Sequence, residues 1–265
     1  MIGEKVVHHE LVHHEAELSM WPFVVGMSGL LVMIGFMTAF QWKLPMLGLL
    51  VSGVGVVGIL IGLFGWVSEV YAKKFEEGLS KIAIVIFIVS EAMLFGGLFG
   101  GYLYNMFPVP VWPPANTPAG VPPLGVALVL TVFLLSSSAT IQMAETKLEK
   151  GEMGGFKGWL LFTMILGVLF LAGQATEWGK LIGEGFTVST NAYGTFFYTV
   201  TGFHGSHVLV GVILQFFVLL LALGEKIGRE RQTIVKACGY YWHFVDGIWL
   251  VVLSLIYILP FYLKA

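Results

Sequence analysis

Seven apolar stretches run along the chain without interruption: Ser19 to Phe40, Leu44 to Val67, Ile82 to Tyr104, Leu124 to Ala144, Gly158 to Thr176, Thr195 to Leu223 and Val235 to Tyr262. Each is close to the roughly 20 residues that a helix needs to cross a bilayer. None shows the alternation of apolar and polar positions that marks a membrane β-strand. The pattern therefore predicts an all-α, polytopic membrane protein with seven transmembrane helices. Only Gln41-Trp42-Lys43 separates the first two runs, which predicts a tight two-helix hairpin over 19–67. A polar tail (1–18) precedes it, an inner loop (68–81) follows, and residues 82–265 form a five-helix bundle. Within that bundle the segment 105–123 carries seven of the ten prolines and no charge. It is expected to be an irregular outer cap, with Trp112 as an anchor at the membrane interface.

Charge adds an orientation. Only 11% of the residues are charged and 57% are hydrophobic, with a net charge of -2, whereas a soluble domain carries about 25% charged residues. A free soluble enzyme is excluded, and so is nucleic-acid binding, because no basic run is present to neutralise phosphates. With the N-terminus inside and the C-terminus outside, eleven of the fourteen Lys and Arg residues fall on inner segments, and Lys43, Lys180 and Lys264 fall outside. This asymmetry follows the positive-inside rule. The N-terminal tail holds Glu4, Glu10, Glu15, Glu17, His8, His9, His13 and His14 with no apolar centre, and reads as a retained, solvated tail rather than a cleaved signal. Its histidines are also of a type that binds transition metals. The single Cys238 reads as a packing residue.

Of thirty charged residues, Glu91 and Asp246 alone fall well inside a span. An ionisable group there costs about 2.5 to 3.5 kcal/mol and must face protein or water. At 100° per residue, Gly96, Gly97, Gly100 and Gly101 lie opposite Glu91, a face that would let a neighbouring helix approach closely. Glu91 projects the other way. It is either a protonated carboxyl bonded to backbone or Ser90, or a functional group aimed at a cleft or another subunit. His204 and His207 share a face of the sixth span with Gly211 and Gln215, and His243, Asp246, Gly247 and Ser254 repeat the pattern on the seventh. These stripes suggest interhelical hydrogen bonds joining the two spans, or alternatively a metal or haem site. Gln174 and Glu177 lie three apart near the outer end of the fifth span.

At these polar positions the sequence resembles subunit III of the haem-copper cytochrome c oxidases. The motifs are TGFHGSHV at 201–208, YYWHFVDGIWL at 240–250 and IVSEAMLFGGLFGGY at 88–102, supported by WPP at 112–114, QATEW at 174–178 and Ala192-Tyr193-Gly194. The resemblance implies an accessory, non-catalytic subunit of a proton-pumping, oxygen-reducing oxidase of the aa3 type. It implies no catalytic, cofactor-binding or metal-ligating residue in this chain. Haem and copper would belong to partner subunits I and II, cytochrome c would be met only through subunit II, and structural phospholipid would lie in a V-shaped cleft formed by the first two helices and the remaining five. Glu91 matches the family's intramembrane carboxylate, and Trp66 and Glu69 match a pair bordering lipid head groups. The loop after Glu69 is shorter than in the mitochondrial pattern, and Thr190-Asn191 replaces its Asp-Gly. The resemblance further implies a multi-pass protein of a bacterial or archaeal cell membrane. Rival readings are the equivalent subunit of a quinol oxidase or nitric oxide reductase, a proton-coupled transporter working through Glu91 and Asp246, and a b-type haem protein.

Overall fold

A computed structural model describes residues 19–40, 42–72, 77–227 and 232–264. The His-rich tail, Lys5, Lys73, Lys74, Arg229 and Arg231 lie outside the described residues. Among those residues there is no strand, and seven helices are long and apolar enough to cross a membrane. They are α1 (Trp21–Phe40), α2 (Pro45–Ala72), α3 (Glu77–Met106), α4 (Leu124–Glu149), α5 (Met153–Gly183), α6 (Ala192–Leu223) and α7 (Gln232–Val252). A π-helical segment, Leu253–Ile258, continues α7 into a final turn, α8 (Leu259–Lys264). Several helices outrun their apolar stretches. α5 begins five residues before Gly158 and ends seven after Thr176, because the helical ladder persists past the apolar run into polar surroundings. The chain divides into two compact units, Met1–Glu76 and Glu77–Ala265.

In the first unit α1 and α2 form the expected hairpin. Its turn places Lys43 at φ 56°, and Leu44 N donates to Thr38 O at 3.1 Å. Glycine allows the two backbones to touch: a Cβ on Gly48 would lie 2.6 Å from both Ala39 N and Gly35 O, and one on Gly55 would lie 2.7 Å from Ser28 O. Close packing of this kind substitutes for the hydrophobic driving force that lipid does not supply. At the open end Ser19 Oγ donates to Glu69 Oε2 at 2.7 Å.

The second unit is a bundle in which α4 packs on α5 and α7, and α6 on α5 and α7. Its polar side chains act as interhelical fasteners. Along the α4–α7 seam, Trp249 Nε1 donates to Thr131 Oγ1 and Trp242 Nε1 to Ser137 Oγ, both at 2.9 Å. Thr140 and Thr163 join α4 to α5 through a 2.7 Å hydroxyl pair. Each such bond contributes about 0.6 kcal/mol on average in a membrane, and at most about 1.7.

The proline-rich loop is tied down and differs from expectation at Trp112. Its indole is buried, donates to Tyr102 Oη at 2.9 Å and meets Tyr193 edge-on. It is a plug in the bundle's end and not an interfacial anchor, because Tyr102 supplies an acceptor within the protein for the N–H that would otherwise seek the head-group region. Asn191 caps α6 by accepting from Gly194 N at 2.8 Å, while its amide donates to Asn116 Oδ1 and Thr117 Oγ1 in the loop.

The π segment accommodates Pro260. Proline has no N–H to offer the preceding turn, and the Ile256 carbonyl four residues earlier accepts instead from the Tyr193 hydroxyl at 2.8 Å.

Candidate functional site

Glu91 lies in the middle of α3, and its carboxyl reaches across to α6, where Glu91 Oε2 is 3.0 Å from His207 Nε2. The side chains are 17% and 11% exposed, so neither is solvated enough to ignore the other. His207 Nδ1 lies 2.8 Å from the Phe203 carbonyl. A carbonyl can only accept, so Nδ1 carries a hydrogen. That fixes the chemistry on the other side of the ring. Either an imidazolium N–H donates to a carboxylate, or a carboxylic acid donates to a neutral imidazole. Both arrangements place one proton between the two groups and leave the pair without net charge. A carboxyl and an imidazole so paired can pass that proton between them without exposing a bare charge inside a span.

Aromatic rings hold the imidazole in place. Phe203 and Phe95 meet it edge-on at 4.7 and 5.1 Å, and Tyr241 stacks at 6.5 Å while donating its hydroxyl to His207 O at 3.1 Å. Phe87 stacks on Tyr241 at 6.2 Å. The Ser90 hydroxyl bonds Phe87 O in its own helix and not Glu91.

The other sequence-selected residues are dispersed. His243 bonds Ser138 Oγ on α4 through Nδ1 at 2.8 Å. His204 is fully buried, tilted against Trp249 at 5.1 Å with Phe170 edge-on at 5.6 Å, and neither ring nitrogen has a hydrogen-bond partner. Asp246 is 4% exposed, and its carboxyl interacts with the Ser138 hydroxyl on α4, the same hydroxyl that meets His243. No hydrogen bond links any two of His204, His207, His243 and Asp246. Their bonds run to α3 and α4, and α6 is tied to α7 at this depth by Tyr241. Among the described residues no group of three or more His, Cys, Asp or Glu could hold a metal ion. Cβ atoms on Gly96, Gly97 and Gly100 would meet nothing within 4 Å, and one on Gly101 would meet only the Phe196 ring. The close helix approach expected at that face is absent within the described residues. On α2, Trp66 is 39% exposed and Glu69 is half-buried.

Sequence reasoning selected Glu91 and His207 separately and missed their pairing. It also missed Tyr241 and Phe95, whose only signal was that each falls within a quoted motif.

The chain matches the family described as Cytochrome c oxidase subunit III over residues 11–261. It is 37% identical to a probable cytochrome c oxidase subunit 3 of Nocardia farcinica, over 67% of this chain and 86% of that protein. It is 34% identical to a probable cytochrome c oxidase subunit 3 of Mycobacterium leprae, over 78% and 98%. With cytochrome c oxidase subunit 3 of Tachyglossus aculeatus aculeatus the identity is 31%, over 95% and 98%. Residue 11 lies before the first span and residue 261 in the last turn, so the match takes in all seven helices, and the chain belongs to the cytochrome c oxidase subunit III family.

Proposed function

We propose that the chain is the accessory subunit III of a proton-pumping, aa3-type cytochrome c oxidase. It carries no redox centre, packs on subunits I and II, holds structural phospholipid, and sustains proton supply for the reduction of oxygen to water. Haem and copper in the partner subunits would carry the electron chemistry, and cytochrome c would dock on subunit II. The observation that carries this reading is the Glu91–His207 pair, a site that can hold a proton within a span while remaining neutral overall. Such a pair suits a subunit that buffers proton delivery and does not itself transfer electrons. Trp66 and Glu69 are the candidates for lipid contact. The distribution of Lys and Arg supports an orientation with the N-terminus inside and the C-terminus outside, in a bacterial or archaeal cell membrane. His204, His243 and Asp246 serve bundle packing in this reading.

The test is Glu91→Gln in the intact oxidase complex. Glutamine can still bond His207 Nε2 but cannot exchange a proton. The subunit should remain assembled, while the rate of inactivation during turnover rises or the ratio of protons pumped to electrons falls. If both quantities match the unaltered complex, the pair has no part in proton supply.

A further inference from the structure

A second carboxyl, away from Glu91, sits in a setting that packing alone does not explain. Glu177 on α5 is 5% exposed, as is Gln174 one turn before it, and Tyr257 in the π segment is fully buried. Gln174 Nε2 donates to Glu177 Oε2 at 2.9 Å and approaches Tyr257 Oη at 3.4 Å, while the Tyr257 hydroxyl donates to the same Oε2 at 3.3 Å. Two donors thus converge on one carboxyl oxygen. The other oxygen, Glu177 Oε1, is buried with no partner, and so is Gln174 Oε1. These two free acceptors flank the same amide–carboxyl hydrogen bond.

Among the described residues no cation pairs with the carboxyl. Lys180, three residues on, is exposed, and among the described residues no ion pair involves Glu177. The other titratable side chains in electrostatic reach are the phenols of Tyr193, Tyr198 and Tyr257. A buried carboxyl without a counter-ion becomes neutral, since solvation lost on burial is not replaced. A water molecule can occupy a buried site that has room for it and two or more polar groups to hold it.

We propose that Glu177, Gln174 and Tyr257 form a proton-holding hydration site, with Glu177 a neutral carboxylic acid and one water bridging its Oε1 hydroxyl to Gln174 Oε1. The proton resides on Oε1 and donates to the water oxygen, and the water donates to the amide carbonyl. Oε2 is the acid's C=O and takes both protein donors. Every polar atom of the three side chains is then satisfied. The acid is also tied to the π segment through Tyr257, whose neighbour Ile256 accepts from the Tyr193 hydroxyl.

The test is infrared spectroscopy of the purified oxidase complex at neutral pH, alongside a high-resolution density map. The unaltered complex should show a carboxylic-acid C=O stretch that shifts in D2O and is lost in Glu177→Gln. Should that variant fail to assemble, Tyr257→Phe removes one donor to Oε2 and must move the same band to higher frequency. A change confined to the carboxylate region in either variant means that Glu177 is ionised, and overturns the proposal. Density for a water between Gln174 and Glu177 is expected. Its absence from a map that resolves other internal waters overturns the hydration site.

Discussion

Gly211 on α6 lies one turn beyond His207, and the indole of Trp242 rests directly on it. A methyl group at this position would sit 2.7 Å from Trp242 Cε3 and Cζ3 and 3.3 Å from Tyr241 Cε1, where carbon atoms normally approach to about 3.5–4.0 Å. The ring has little room to retreat. It is fully buried, its Nε1 is pinned to Ser137, and a Cβ on Gly167 would already be 2.9 Å from its Cη2. Forcing a methyl into such a site costs about 1–3 kcal/mol. Replacing glycine by alanine inside a helix returns about 0.8–1 kcal/mol. Gly211→Ala should therefore destabilise by about 1 kcal/mol, and by about 2 at most. Trp242→Phe removes the ring atoms that clash, so in that background the same alanine should become neutral or stabilising, with a coupling of about 1–3 kcal/mol between the sites. Reversible unfolding of the purified subunit in lipid–detergent micelles, titrated with sodium dodecyl sulfate, measures all four corners of the cycle. An alanine that stabilises the unaltered protein, or that costs the same in both backgrounds, would show that Trp242 does not fill the space beside Gly211.

Three further outcomes are expected. Thr140→Val and Thr163→Val should each cost about 0.6 kcal/mol, and the double variant clearly less than their sum, because each removes the same α4–α5 bond; the micelle assay reads this directly. Gly55→Leu should part α1 from α2, since its side chain would start 2.7 Å from the Ser28 carbonyl; the micelle assay should show a clear loss of stability, and a variant as stable as the parent would refute the close approach. In the turn between α4 and α5, the hydrogen bond and charge of Lys147 hold the Glu152 carboxyl below the usual glutamate value. The stabilisation is thus present above the unfolded-state value of about 4.3 and disappears as the pH falls through the lower folded-state value. A carboxyl-selective NMR titration should give a Glu152 midpoint below 4.3 (about the free glutamate value) that returns toward it in Lys147→Met.

Helix number was legible because lipid imposes a length on apolar runs, and the hairpin was legible because three residues leave no other connection. Glu91 stood out as a charge where charge is costly. Its partner did not, because a helical wheel gives the direction of a side chain and not which helix lies there. The same limit applies to His243, whose face was identified but whose partner, Ser138, belongs to α4. Small hydroxyl residues in α4 gave no signal by themselves. Thr131, Ser137 and Ser138 acquire meaning only when Trp249, Trp242 and His243 are brought opposite them. Trp112 was misread for a related reason: a tryptophan near a span end suits a head-group region, and only the fold shows that Tyr102 already accepts its N–H.

The bond from Tyr193 to the Ile256 carbonyl bears on the order of assembly. Pro260 leaves the last turn of the chain one donor short, and the donor that completes it stands at the start of α6, on a residue synthesised much earlier. The final helix therefore depends on the start of α6 for the partner of this carbonyl. That bond forms only once α6 and the last helix have met, so completing this turn and packing it on the bundle are one event.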